Sequence, residues 1–185
     1  MKFYIFRHGQ TNGNVNNIVQ GAGVDIPLNE TGRRQAQNLA QELQKEKLDI
    51  IYSSPMIRAQ ETAQAVAAMS KIPVEIMPGL EEVHYGEAEG MYSEEAHQKY
   101  ADIFKVIQDQ TNPQWQDIHI PGAESVRISL ERIEKTLRRI KQECEERGCS
   151  KVGIATHGAL MYNLYQKLFG QGRKFDNCEY FILEL

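Results

Sequence analysis

Two histidines each followed by glycine, two arginines and a set of carboxylates carry the chemistry this sequence offers. Arg7-His8-Gly9 follows the apolar run Phe3–Phe6, and His157-Gly158 follows Lys151–Thr156. Both runs have the composition of buried strands, so each histidine falls where a strand should end. In open α/β sheets ligands bind in the crevice beyond the carboxyl ends of the strands. A neutral imidazole there is a nucleophile. An arginine beside it presents a fork of donors matched to phosphate oxygens. Gly9 removes a Cβ where the chain must turn and a ligand must come close. Arg58 follows Ser53-Ser54-Pro55 at the expected start of a helix, whose N-terminal amides attract anions. Carboxylates able to give and take a proton lie in Leu80–Gly90, at Glu81, Glu82, Glu87 and Glu89. Residue type alone does not choose among these four.

Other chemistries find little support. The five histidines, His8, His84, His97, His119 and His157, show no ligand-spaced pair, and no Asp-rich cluster suggests a two-metal site, so no metal is expected. Gly21-Ala22-Gly23 lacks the third glycine of a dinucleotide fingerprint and follows no strand, and no Gly-Lys-Ser or Gly-Lys-Thr is present. No organic cofactor is expected either. Cys144, Cys149 and Cys178 form no disulfide framework, and none has an arginine six positions later, as a cysteine-based phosphatase loop requires. Reduced thiols and a short apolar stretch before Arg7 predict a cytoplasmic protein. A net charge of −4 argues against a nucleic-acid partner. No apolar run approaches the ~18 residues of a membrane span, so no membrane partner is expected.

The elements that must position these groups alternate between strand and helix. Strands are expected at Phe3–Phe6, Leu48–Tyr52, Pro73–Met77, Lys151–Thr156 and Tyr180–Leu185, the third at an edge because it starts with proline. Helices are expected from Asn29 or Thr31 to about Glu46, from Ser54-Pro55 to Ser70, over roughly 93–109, from Ala123 to Arg147 and from Ala159 to Phe169. Residues 9–30 read as one long loop. At 185 residues, with 41% hydrophobic and 25% charged residues, this is an ordinary globular composition. The alternation predicts a three-layer α/β/α fold with a mostly parallel sheet. A single domain over 1–185, with a small helical cap at about 84–120, is the expected organisation. If the first and fourth strands are adjacent, His8 and His157 converge on one pocket.

Arg7-His8-Gly9-Gln10-Thr11, Arg58 after Ser53-Ser54-Pro55, Glu82 in Leu-x-Glu and Ala155-Thr156-His157-Gly158 together resemble the histidine phosphatase superfamily, the phosphoglycerate mutase-like proteins. The resemblance runs in order along nearly the whole chain. It implies His8 as the nucleophile that forms a phosphohistidine, and Glu82 as the acid and base. Arg7, Arg58 and a protonated His157 would hold the phosphoryl oxygens, with Asn14 and Gly158 in the phosphate site. Gly13 stands where many members have tryptophan. Glu124-Ser125 matches a further stretch of the family, and either supports the pocket or simply opens a helix. The implied activity is hydrolysis of a small phosphorylated substrate. The mutases of the family carry a mid-chain arginine pair, whereas Tyr92–Ile120 here contains no arginine. His84-Tyr85-Gly86 does resemble the mutase pattern, and a non-catalytic phosphoryl-binding module is the third alternative. Neither the substrate nor the oligomeric state is legible.

Overall fold

The computed structural model describes residues 1–185. Strands β1 (Lys2–Arg7), β2 (Ile50–Ser53), β3 (Val74–Ile76), β4 (Lys151–Thr156) and β5 (Tyr180–Glu184) form one sheet in the order β3-β2-β4-β1-β5. β1 to β4 pair in parallel, and β5 runs antiparallel to β1. Side-chain alternation divides β1 between two cores. Phe3 and Ile5 join one, and Tyr4 and Phe6 join the other. The first face is covered by Ile133, Leu137 and Ile140 of a long helix, Val126–Arg147, and by Leu160 and Leu164 of the helix Gly158–Phe169. The second is covered by Leu39, Ala40 and Leu43 of Glu30–Gln44 and by Ala59, Ala63 and Val66 of Ile57–Ser70. The result is the three-layer α/β/α arrangement expected from the alternation. Each fully buried Leu, Ile or Phe contributes about 1.5–3 kcal/mol, which makes these two faces the main source of stability.

In chain order the helices are α1 (Asn12–Val15), α2 (Glu30–Gln44), α3 (Ile57–Ser70), α4 (Ser93–Lys99), α5 (Ala101–Gln108), α6 (Val126–Arg147) and α7 (Gly158–Phe169). Several boundaries differ from the sequence expectation, each for a local reason. The loop over 9–30 contains the single turn α1, which Thr11 and Asn14 close with a reciprocal capping box. Leu48 and Asp49 lie before β2, where the Asp49 carboxylate accepts from the amides of Ser150 and Lys151. The helix expected over 93–109 breaks at Tyr100, whose φ of −114° and ψ of 29° leave the helical region. The Tyr100 ring is buried with Ala88, Ala96 and Ile120, and its hydroxyl donates to Glu87. α6 starts at Val126 rather than Ala123, because the Ser125 hydroxyl accepts from the Ile128 amide and fixes the cap there. Gly148 in the left-handed region ends it. No helix is long and apolar enough to cross a membrane.

The turn after β1 is pressed directly against the first turn of α2. A Cβ on Gly9 would lie 2.5 Å from the Gly32 carbonyl oxygen, and one on Gly32 would lie 2.1 Å from the Gln10 carbonyl oxygen. Both obstacles are backbone, which cannot rotate aside. Gly32→Ala is therefore expected to destabilise the protein by about 2–4 kcal/mol, as a shift in the urea midpoint with unchanged m-value.

Candidate active site

The β1–β4 register pairs Arg7 with Thr156, so the residues just beyond, His8 and His157, emerge side by side. The His8 amide donates to the Thr156 carbonyl at 3.0 Å, and the two imidazole centroids are 5.2 Å apart. Both rings are buried. His8 Nδ1 lies 2.7 Å from the Gly9 carbonyl oxygen. A carbonyl only accepts, so the proton sits on Nδ1 and the Nε2 lone pair is left as the nucleophile. The Gly9 amide donates to Thr62 Oγ1, and that hydroxyl donates in turn to the Arg58 carbonyl. His8 and Arg58 are thereby fixed to one another through a single side chain.

Each arginine is held by the carbonyls of a loop. Arg58, 1% exposed, donates from Nη1 to Val24 O at 2.9 Å and from Nη2 to Gly21 O at 2.8 Å. Arg7 Nη1 donates to Phe175 O at 2.7 Å. Gly158 packs against this guanidinium, since a Cβ there would lie 3.0 Å from Arg7 Nε. Helix α3 begins at Ile57, and the Asp25 carboxylate already takes the Ile57 amide, with Nη1 of Arg58 3.6 Å away.

Among the four candidate carboxylates only Glu82 bears on both arginines, raising the proton affinity that burial lowers in each. Its oxygens accept from the amides of Val83, Ala159 and Leu160, at 2.9, 3.0 and 2.9 Å, which seats the carboxylate on the N-terminus of α7 beside His157. Glu81 instead caps the Gly79 amide, Glu87 accepts from Tyr100, and Glu89 accepts from the amides of Gly23 and Tyr85. His84 is half-exposed and accepts from the Gly86 amide. Asn14 stands at the margin of the site. Its Oδ1 accepts from the Thr11 amide and from Asn177 Nδ2, which also donates to His8 O, leaving the Asn14 NH₂ as the end that can donate.

Three buried side-chain nitrogens have no partner in the protein: Arg7 Nε, Arg58 Nε and His157 Nδ1. An unsatisfied buried donor costs about 1–3 kcal/mol, and all three such atoms in the molecule belong to this one cluster. Donors left open in this way suit an acceptor-rich group, such as a phosphoryl group. A shallow groove of about 550 Å³ on α4–α5, lined by His97, Phe104, Lys105 and Asp109, shares no residue with the cluster. No group of three or more His, Cys, Asp or Glu side chains is arranged to hold a metal ion.

Without a bound phosphoryl group His157 is held neutral. Burial, then the positive charge of Arg58, hold its proton affinity well below the usual histidine value, with His8 and Arg7 adding to the effect. His8 is depressed in the same direction by burial, Arg58 and Arg7. With these neighbours both rings are neutral at pH 7. Ser54 Oγ lies 2.8 Å from His157 Nε2. With that hydroxyl donating, the single His157 proton resides on the unpartnered Nδ1. A pH dependence follows. The unfolded chain protonates each histidine as pH falls through about 6.5, while the folded pair resists. The unfolded state then binds more protons, so this contribution is intact above pH 6.5 and is lost below it. The expected loss is up to about 1.4 kcal/mol per pH unit for each histidine, read as falling urea midpoints between pH 7 and 5. His157→Asn should flatten that slope.

Sequence reading missed Ser54, Thr62, Asp25 and Asn177. Thr62 was the most accessible, since it lies four residues after Arg58 on one helix face. Asn177 carries no signal, because only the fold returns the 170–179 loop to His8.

A sequence model of the histidine phosphatase superfamily (branch 1) matches residues 3–185. The chain belongs to the histidine phosphatase superfamily. Phosphoglycerate mutase-like protein 4 of Arabidopsis thaliana is 34% identical over 175 residues, covering 93% of this chain and 73% of that protein. The metal-independent phosphoserine phosphatase of the same plant is 29% identical over 166 residues, covering 89% of this chain and 67% of its own. Among solved structures, Bacillus stearothermophilus YhfR superposes with a TM-score of 0.83 at 27% identity, covering 100% of this chain and 91% of that one. The histidine phosphatase motifs thus lie in the fold that the superfamily shares.

Proposed function

We propose that this phosphatase of the histidine phosphatase superfamily is a metal-independent phosphomonoester hydrolase that works through a phosphohistidine on a small phosphorylated metabolite. The observation that carries the reading is the set of three unpartnered nitrogens around a histidine whose Nε2 is free. In the first step His8 Nε2 attacks phosphorus, the N–P bond forms as the P–O ester bond breaks, and Glu82 gives a proton to the departing oxygen. The Nδ1 proton stays with Gly9 O throughout. In the second step Glu82 takes a proton from water, the hydroxide attacks phosphorus, the N–P bond breaks, and inorganic phosphate leaves. Arg7, Arg58 and His157 stabilise the charge on the equatorial oxygens in both steps. A phosphoryl dianion between the guanidinium groups also favours a charged His157, so the protonated form expected from the sequence is assigned to the complex.

Metal independence is supported by the positive charge that Arg7 and Arg58 bring to the histidines, and by the relative named a metal-independent phosphoserine phosphatase. Phosphoserine is one candidate among phosphorylated acids, sugar phosphates and nucleoside-type monophosphates. Substrate choice is assigned to the cap over 84–120, whose small core of Ala88, Ala96, Tyr100 and Ile120 is separate from the two faces of the sheet. A cytoplasmic location suits the three free thiols. Burial pushes Cys144 to about 11 and Cys178 to about 12, so neither is a thiolate nucleophile at neutral pH. No nucleic-acid or membrane partner is proposed.

The test is phosphate release from p-nitrophenyl phosphate and a panel of phosphomonoesters in the presence of EDTA. Turnover resistant to EDTA supports the reading. Transfer to an added hydroxyl acceptor without net release would instead identify a mutase, and saturable binding without turnover a binding module.

A further inference from the structure

Glu82 lies on a stretch with no strand or helix of its own, yet it must meet a reacting oxygen to within a fraction of an ångström. What fixes it comes from α6. The five N–H groups of Arg132 meet five acceptors. Nε and Nη2 grip the two oxygens of Glu124 at 2.8 and 2.7 Å. Nη1 donates to the carbonyls of Gly79 and Glu81, both at 3.0 Å, and Nη2 reaches the Glu82 carbonyl at 3.4 Å. Thr156 Oγ1 donates to Leu80 O and the Glu124 amide to His84 O, each at 2.8 Å. Gly79 lets α6 come close, since a Cβ there would meet Thr136 Oγ1.

We infer that Arg132, charge-paired with Glu124, is the positioning residue that aims the Glu82 carboxylate at the departing oxygen. It rests on the roles given to His8 and Glu82 under the proposed function. Arg132 touches no reacting atom. It holds the backbone on both sides of Glu82, and the α7 amides hold the carboxylate itself. Only a planar fork reaches a carboxylate on one edge and three carbonyls on the others, so lysine cannot replace it in full.

The readout is selectivity for the leaving group. An acid matters most when the departing oxygen is basic, and kcat/KM reports the step in which that oxygen leaves. Arg132→Met, Arg132→Lys and Glu82→Gln are compared with wild type on p-nitrophenyl phosphate and on the alkyl phosphate that wild type cleaves fastest. Vanadate inhibition measures phosphoryl binding, and thermal melts report folding. For Arg132→Met we expect kcat/KM to fall roughly 10–100-fold on the alkyl ester and under about threefold on p-nitrophenyl phosphate, with vanadate affinity kept within about twofold. Arg132→Lys should show the same selectivity at smaller size, and decides alone if Arg132→Met does not fold. Equal losses on both esters, or a parallel loss of vanadate binding, overturn the inference. Selectivity in Glu82→Gln with none in Arg132→Lys overturns it while leaving the role of Glu82 intact. No selectivity in Glu82→Gln removes that role, and the inference falls with it.

Discussion

Replacing His8 by alanine is expected to lower kcat by roughly 10⁴-fold or more, the scale on which a covalent nucleophile acts. The substitution removes the one lone pair that faces the phosphoryl site while leaving both guanidinium groups where they are. Arg58 is tied to Gly21 and Val24, and Arg7 to Phe175; none of these contacts runs through the His8 ring. Vanadate or inorganic phosphate should therefore still bind, with affinity changed by far less than kcat. The same variant should lose part of the acid sensitivity of the wild type. It removes one of the two histidines that burial and the arginines keep neutral in the fold.

Glu82→Gln is expected to cut kcat/KM for alkyl phosphates by about 10²–10⁴-fold and for p-nitrophenyl phosphate by much less. The nitrophenolate leaves without help, whereas an alkoxide needs the proton. Turnover of p-nitrophenyl phosphate should become limited by hydrolysis of the phosphoenzyme, because the same carboxylate deprotonates water in the second step. A burst of nitrophenolate followed by slow steady release is the kinetic signature. Glutamine is not a neutral replacement at this site. Both Glu82 oxygens accept from backbone amides, so a side-chain NH₂ would have to face an N–H, at a cost of roughly 1–3 kcal/mol. A lower melting temperature is therefore expected alongside the kinetic change, and the difference between the two esters separates the lost acid from lost stability.

The sequence carried the architecture because its strands and helices alternate with clean apolar signals. It carried the convergence of His8 and His157 because two strands each ended in His-Gly, and adjacency in a parallel sheet does the rest. It could not rank Glu81, Glu82, Glu87 and Glu89 by composition, since what separates them is which backbone amides each one meets. Only Glu82 meets those of α7. The neutral state of His157 in the ligand-free protein was not legible either, for a related reason. A histidine among arginines looks suited to an anion, but the same arginines, with burial, expel its proton. The start of α3 was read from Ser-Pro, whereas the anion at its end is Asp25, more than thirty residues earlier. Tyr100 breaks a helix that its local sequence would continue, because its ring is drawn into the cap core. In each case a long-range contact outweighed a local signal.

The proposed mechanism turns on a covalent bond between phosphorus and His8 Nε2. Rapid quenching after mixing the enzyme with ³²P-labelled substrate, followed by peptide mapping, tests it most directly. Label is expected on the protein within one turnover, labile to acid, stable to alkali and carried by the peptide containing His8. The labelled fraction should be larger in Glu82→Gln on p-nitrophenyl phosphate, and absent in His8→Ala. Full turnover with no labelled protein at any quench time, or label on the peptide containing His157, would contradict it.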